Sequence, residues 1–546
     1  MSAKGLTRRE FLRIAGITGV GAVAAACAPT VAPTSAPSTA PAANSTAAPA
    51  AASVVPQPTT GPSYGGILKV AEQLDGVSIG YPPKSPTVTA MRQVRPVIET
   101  LFRTNKDGSL APWLALGEKG DVAAKMITLT LRKGVKFHDG TDFDAEAVKW
   151  NLEQHMASKS TGTEKVKSVD LVDDSTVRIT LTEWDSTVTP NLTQAMGMVI
   201  SPSAYQKNGG DWAAKNPVGT GPFQFVSWEK DVRTVYKRFE GYWQKGKPYL
   251  DGIEWTPIPD QTTRQMSLRK GDVQVGLSTA SKDLKSLEND GLVVTRLMMG
   301  SGVRTIIPDS ANPQSPWADL RVRQAAQYAI DTSAIVKAVY AGEGEPANQW
   351  IYKGHWGYNP SVVGYPYNPT KAKQLLAEAG RANGFKTKYT VLSSSGAPDD
   401  LVVAVQGYLK EVGIEVEFDL VQPARFNQIA IGGTWDGLLF GTTWGNPDLA
   451  QALALKASGT SWHKQMLIPE DYAKALAHAI SAPDFETKQK SVQEVMKLMI
   501  DKYCLMICIG AEYKSVVNQS AVRATGLIQT PNEPEWTPED AWLAKV

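Results

Sequence analysis

Apolar and polar residues alternate over Ile127-Thr128-Leu129-Thr130-Leu131 and again over residues 175–181. A period of two predicts half-buried strands. Between them, Asp139-Gly140 marks a turn, and Asp144 stands as the cap of a helix opening at Ala145. An earlier strand is expected at the end of residues 64–70. The run Asn216-Pro217-Val218-Gly219-Thr220-Gly221-Pro222-Phe223 reads as a glycine-rich turn entering a strand over 223–228. It lacks the lysine and the following helix of a phosphate loop, which excludes nucleotide binding there. Residues 319–330 and 332–341 have helical spacing, the second helix capped by Asp331. Asn368-Pro369 opens a further helix and Gly380 closes it.

Beyond Gly380 the period switches regularly. Residues 387–392 read as a strand, 399–412 as a helix closed by Gly413, and 414–421 as a strand. A short helix over 425–430 and a strand over 436–440 follow. This β-α-β-α-β order predicts a parallel, doubly wound α/β sheet. Ligands of such sheets bind beyond the carboxyl ends of the strands. Gly441-Thr442-Thr443-Trp444-Gly445-Asn446-Pro447-Asp448 therefore stands where a ligand would be met. Trp444 would stack on it, and Asn446 or Asp448 would bond its polar groups. In the alternative assignment Asn446 or Asp448 caps the helix that follows. Trp350, Tyr352 and Trp356 cluster in an irregular stretch, 345–369, and either line the same cleft or pack the surface behind it.

The N-terminal pattern is different. Arg8-Arg9 with Phe11-Leu12 precedes an apolar run from Ile14 to Ala26 and then Cys27. The run is shorter than the about 20 residues that span a bilayer and suits a signal peptide. The arginine pair resembles a twin-arginine export signal. Ala24-Ala25-Ala26-Cys27 resembles a lipobox, in which Cys27 is acylated and becomes the new N-terminus; the alternative is a plain cleaved signal. Residues 28–62 are almost only Ala, Pro, Thr and Ser, a composition with nothing to bury and expected to be a disordered tether.

Composition narrows the partners. A formal net charge of +2 over 546 residues, with no basic block, argues against nucleic acid. Besides Cys27 there are Cys504 and Cys508, in a run (503–509) read as a buried strand. Four residues apart on a strand is about 13 Å, too far for a disulfide. The histidines show no metal-ligand spacing, so no metal held directly by the protein is expected, a chelated metal staying open as cargo, and no cofactor is expected. The 15 tryptophans invite a stacking surface for sugars or flat ligands. An exported hydrolase would need a nucleophile with its base or two poised carboxylates; no His-Glu-x-x-His is present, and the spacing Gly76-Val77-Ser78-Ile79-Gly80 alone supplies no base for the serine.

Several blocks resemble one family, the extracellular solute-binding proteins of family 5, which serve peptide and nickel ABC importers. They are Leu131–Gly140, Asn216–Phe223, Leu320–Ala325 with Ala329-Ile330-Asp331, Pro366–Pro369 with Leu375-Leu376, and Leu409–Ile414. The resemblance implies a two-lobed periplasmic-binding-protein type II fold with an extra subdomain in the first lobe. Lobe I would comprise 64–300 and 511–546, with the insert at about 99–216, and lobe II 301–510. Residues 1–26 would be the signal and 27–63 the anchored tether. It implies a monomer that closes on a small organic ligand, peptide or sugar, without catalysis, and delivers it to an ABC permease. A chemosensory partner would use the same closure. The chain would lie outside the cytoplasmic membrane, attached through lipid only. Tyr81 falls where relatives bring an N-terminal loop to the cleft, and Arg425 on the cleft side would meet a carboxylate. Peptide-binding relatives hold the ligand ammonium with an acidic residue in the 441–448 loop. Here Asp448 follows the Asn-Pro pair instead of preceding it, a departure that favours other organic solutes, oligosaccharides among them.

Overall fold

The computed structural model describes residues 61–546 apart from 85–86, 278–280, 298–302, 394, 443–447, 526, 529–534, 537 and 545–546. The signal, Cys27 and most of the tether lie outside the described residues, as do Trp444 and Asn446.

The alternating runs are strands. Met126–Leu131 and Thr176–Leu181 pair antiparallel, flanked by Ala115–Asp121 and Val166–Asp173 in a four-stranded sheet. Their inward residues Ile127, Leu129, Val177 and Ile179 are buried against Phe137, Val148 and Leu152. Helix Ala145–Ala157 starts where Asp144 accepts a hydrogen bond from the Ala147 amide. Asp331, Asn368 and Asp399 cap their helices in the same way. Each such cap contributes about 1 kcal/mol. The glycine-rich turn before Phe223 has a packing cause. A Cβ on Gly219 would fall 2.1 Å from the Val97 carbonyl oxygen, and one on Gly221 2.5 Å from that of Pro96. His138 Nε2 lies 2.9 Å from the Gly221 carbonyl oxygen, and burial holds the imidazole well below its ordinary pKa, at about 4.

Two larger sheets form the body. The first runs in the order Val293–Leu297, Lys514–Asn518, Val275–Leu277, Ile67–Glu72, Gly252–Pro257, Arg233–Arg238, Phe223–Glu229. The second runs Gly344–Pro346, Ile507–Glu512, Val303–Pro308, Leu438–Thr442, Phe385–Leu392, Ile414–Val421. In the latter, Phe385–Leu392 pairs parallel with Ile414–Val421 on one side and with Leu438–Thr442 on the other, as the β-α-β-α-β pattern requires. The last of these strands begins two residues later than the pattern suggests. Gly437 takes φ +82° before it, where a Cβ would meet Thr387 Oγ1 at 2.3 Å. The short helix is longer, Pro423–Gly432, because Pro423 sits in its first turn.

The strand expected over 503–509 is corrected. The chain leaves helix Phe485–Lys497 through a π-helical turn, Leu498–Lys502, and Cys504 has φ +45°, so the strand begins only at Ile507. Both cysteines are buried free thiols, and burial pushes Cys504 up to about 12.

The second sheet carries the largest apolar core, in which Trp317 and Trp350 are fully buried. A large aromatic side chain of this kind removes roughly 150–250 Å² from water. Trp255 and Trp536 face each other in the core of the first sheet. The chain passes between the two sheets twice, from Leu297 to Val303 and from Glu512 to Lys514. Val293–Leu297 pairs with Lys514–Asn518 and Val303–Pro308 with Ile507–Glu512, so the strands flanking the two crossovers are paired in both sheets. Two α/β lobes result, the four-stranded sheet being an insert within the first.

Candidate functional site

The carboxyl ends of the three parallel strands, Leu392, Val421 and Thr442, share one edge of the second sheet with the crossovers. Arg304 pairs in register with both Thr442 and Gly510 and so stands at that edge. Its guanidinium lies 5.0 Å from the Phe440 ring centroid, and it makes no ion pair among the described residues. Two phenol hydroxyls nearby, Tyr340 Oη and Tyr389 Oη, are buried and find no acceptor among the described residues, although the Arg304 guanidinium approaches Tyr340. Burial raises the pKa of both, and the positive charge of Arg304 opposes the rise in each. Buried polar atoms are rarely left unpaired, because each costs about 1–3 kcal/mol. An edge with an unneutralised cation and spare hydroxyl donors suits an anionic or carbonyl-bearing ligand.

The residues expected to carry binding separate into groups. Arg425 is exposed on helix Pro423–Gly432, directly after strand Ile414–Val421. Tyr81 is buried in the first lobe, where its ring packs 5.1 Å from Tyr205 and its hydroxyl donates to Gln154 Oε1 at 3.1 Å. Trp350 and Tyr352 belong to the core of the second lobe, and Tyr352 Oη donates to the Lys106 carbonyl at 3.2 Å. Asp448 is corrected as a free acid. Its Oδ1 accepts from the Gln451 amide, capping helix Leu449–Ala457, and its Oδ2 pairs with Lys488 Nζ at 2.6 Å. With side chains 3% and 5% exposed, that pair is internal to the protein. The alternative assignment of Asp448 as a cap is therefore the one found.

Trp356 and Asp448 do come together. They line a cavity of about 380 Å³ between the insert of the first lobe and the second lobe. Glu118, Trp184 and Thr189 face them from the insert; Phe485 and Lys488 stand beside them in the second lobe. Hydrogen bonds around this cavity join the lobes directly. Trp184 Nε1 donates to the Ala482 carbonyl at 2.9 Å, the Ser186 amide to that of Ile480 at 2.9 Å, and the Trp356 amide to that of Asp107 at 2.9 Å. Lys488 Nζ also donates to the Ser186 carbonyl at 2.8 Å. Glu118 reaches the cavity and accepts from the Thr189 hydroxyl. The residue as a whole is exposed, but loss of water around its carboxyl raises the pKa, while the Thr189 bond and the charge of Lys488 oppose the rise. Among the described residues no group of three or more His, Cys, Asp or Glu side chains is placed to hold a metal ion, and no helix is long and apolar enough to cross a membrane.

Sequence reasoning missed Arg304, Tyr340, Tyr389, Glu118, Trp184 and Lys488. None lies in a motif. Arg304 had one usable signal, a charge inside an otherwise apolar strand.

Two α/β lobes joined by paired crossovers and meeting around a shared cavity define a binding-protein architecture. The profile of the bacterial extracellular solute-binding proteins, family 5, matches residues 109–464, and the chain belongs to that family. It is 33% identical over 323 residues to the glutathione-binding protein GsiB of Salmonella paratyphi A, covering 58% of this chain and 62% of that one. The chain thus spans about three fifths of the length of that relative. It is 32% identical over 375 residues to heme-binding protein A of Haemophilus influenzae, covering 63% of this chain and 68% of that one. Among solved structures, HbpA2 from Haemophilus parasuis superposes with a TM-score of 0.79 at 22% identity, over 88% of this chain and 100% of that one. DppA from Helicobacter pylori in complex with the peptide STSA gives 0.69 at 24%, over 88% and 99%.

Proposed function

We propose that this protein is the extracytoplasmic capture component of an ABC importer, held to the membrane by lipid on Cys27, and that it closes its lobes over a peptide-like organic solute. The observation that carries the reading is the arrangement at the paired crossovers: Arg304, without an acidic partner among the described residues, stands at the carboxyl edge of the second sheet. The identity to a glutathione-binding protein supports a solute of that class.

Mechanism follows from differential affinity. Two lobes joined by short crossovers rotate about them, and a solute shifts the equilibrium only by binding the closed form more tightly than the open one. Arg304 holds an anionic group of the solute, Tyr340 and Tyr389 supply spare hydroxyl donors, Trp444 stacks on it, and Asn446 bonds its polar groups. Arg425 at the mouth steers anions. No bond is made or broken, and release to the permease follows reopening.

The test is a thermal-shift and calorimetric screen of the purified protein against glutathione, di- and tripeptides, oligosaccharides and heme. Glutathione or a peptide should raise the melting temperature. Arg304→Gln should weaken that ligand at least tenfold, about 1.4 kcal/mol. A response to oligosaccharides alone, or wild-type affinity in Arg304→Gln, rejects the reading. The anchor is tested separately. A lipoprotein signal-peptidase inhibitor should leave the longer precursor in the membrane, and processing that continues unchanged rules out acylation at Cys27.

A further inference from the structure

The cavity between the insert and the second lobe shares no lining residue with the sheet edge at Arg304, and its chemistry is of opposite sign. Glu118, Asp185, Asp448 and Asp484 line it against one base, Lys488, a formal balance of −3. Most of these acids are already engaged. Asp448 is consumed by Lys488 and the Gln451 amide, Asp185 accepts from the Thr187 amide at 2.8 Å, and Asp484 caps helix Phe485–Lys497. Glu118 has a hydroxyl donor, Thr189, and feels the charge of Lys488, but makes no ion pair among the described residues. It sits on strand Ala115–Asp121, on the same face as Gly120 two residues on. The Trp184 ring lies against Gly120, where a Cβ would fall 2.5 Å from Trp184 Cη2. A carboxylate and an aromatic ring are thereby set side by side. Across the cavity Trp356 and Phe485 pack edge to face, their centroids 5.4 Å apart.

We infer that this cavity is a second binding site, for an organic cation whose ammonium group pairs with Glu118 and rests against Trp184, Trp356 and Phe485. A ring face attracts a cation through its quadrupole, and a carboxylate adds a charge-assisted contact; together they recognise ammonium groups in preference to neutral ones of the same shape. About 380 Å³ is the size of a small organic molecule and far more than a bare ion needs, and the aromatic walls offer a metal no ligands. Because one wall comes from each lobe, an occupant stabilises the apposition of insert and second lobe. The site is independent of which solute meets Arg304.

The experiment titrates the full chain with choline, and with agmatine as a second cation, by calorimetry and Trp fluorescence. The neutral isostere 3,3-dimethylbutan-1-ol serves as control. At least one cation should bind and raise the melting temperature, and the isostere should do neither. Glu118→Gln, which keeps the Thr189 contact, should weaken the cation about tenfold or more while circular dichroism shows the native fold, and Trp184→Leu should weaken it independently. Failure of both cations at millimolar concentration, equal binding of the isostere, or undiminished binding to Glu118→Gln overturns the site. Arg304→Gln should leave cation binding unchanged, so loss of the solute site and loss of this one are read apart.

Discussion

Glu99→Ala should destabilise the protein by roughly 4 kcal/mol or more, the largest single effect expected outside the core. The Glu99 carboxylate is 2% exposed. Its Oε1 accepts from Trp113 Nε1 at 2.8 Å and Tyr242 Oη at 2.9 Å, and its Oε2 from Thr220 Oγ1 at 2.8 Å and Trp243 Nε1 at 3.0 Å. Burial raises its pKa, and the positive charge of Arg103 is the main opposing influence. Alanine removes the acceptor for four donors at once, and each donor left unpaired in the interior costs about 1–3 kcal/mol. Glu99→Gln keeps one acceptor oxygen but turns an NH2 against the other two donors, so it should recover only part of the loss. Urea denaturation measures both. An alanine variant within 1 kcal/mol of wild type, on the scale of about 1 kcal/mol per ordinary hydrogen bond, would show that water replaces the carboxylate.

Lys488→Met should cost about 3–5 kcal/mol, because it leaves Asp448 charged and unneutralised in a site that is 2% exposed. The double variant Lys488→Met with Asp448→Asn should recover most of the loss. Asparagine still caps helix Leu449–Ala457 through its side-chain oxygen and carries no charge. A denaturation double-mutant cycle reads the coupling, and a double variant no more stable than Lys488→Met refutes the account. Lys488 also donates to the Ser186 carbonyl in the first lobe, so its loss weakens the apposition of the lobes as well as the second lobe itself.

What the sequence disclosed was local. Asp144, Asp331 and Asn368 were legible as caps because a cap is a bond between a side chain and an amide two or three residues on. The parallel strands were legible because period and helix length repeat along the chain. Partners distant in sequence were not. Trp350 and Tyr352 sit in an irregular stretch that looks the same whether it lines a cleft or seals a core, and the deciding neighbours lie elsewhere in the chain. Asp448 was legible as either a ligand contact or a helix cap, and its pairing with Lys488, 40 residues later, was not. Glu118 acquires its surroundings from Trp184 and Thr189 of the insert and Lys488 of the other lobe, which no pattern within its own strand announces.

The strand order of the first sheet bears on how the protein can be made. Lys514–Asn518 lies between Val293–Leu297 and Val275–Leu277. More than two hundred residues, the whole second lobe, are synthesised after its neighbours and before it. At the ordinary pace of translation that is roughly ten to forty seconds during which two strands present bare edges, a state prone to sticking to other chains. A nascent chain of this design gains from chaperone cover until its last 33 residues emerge.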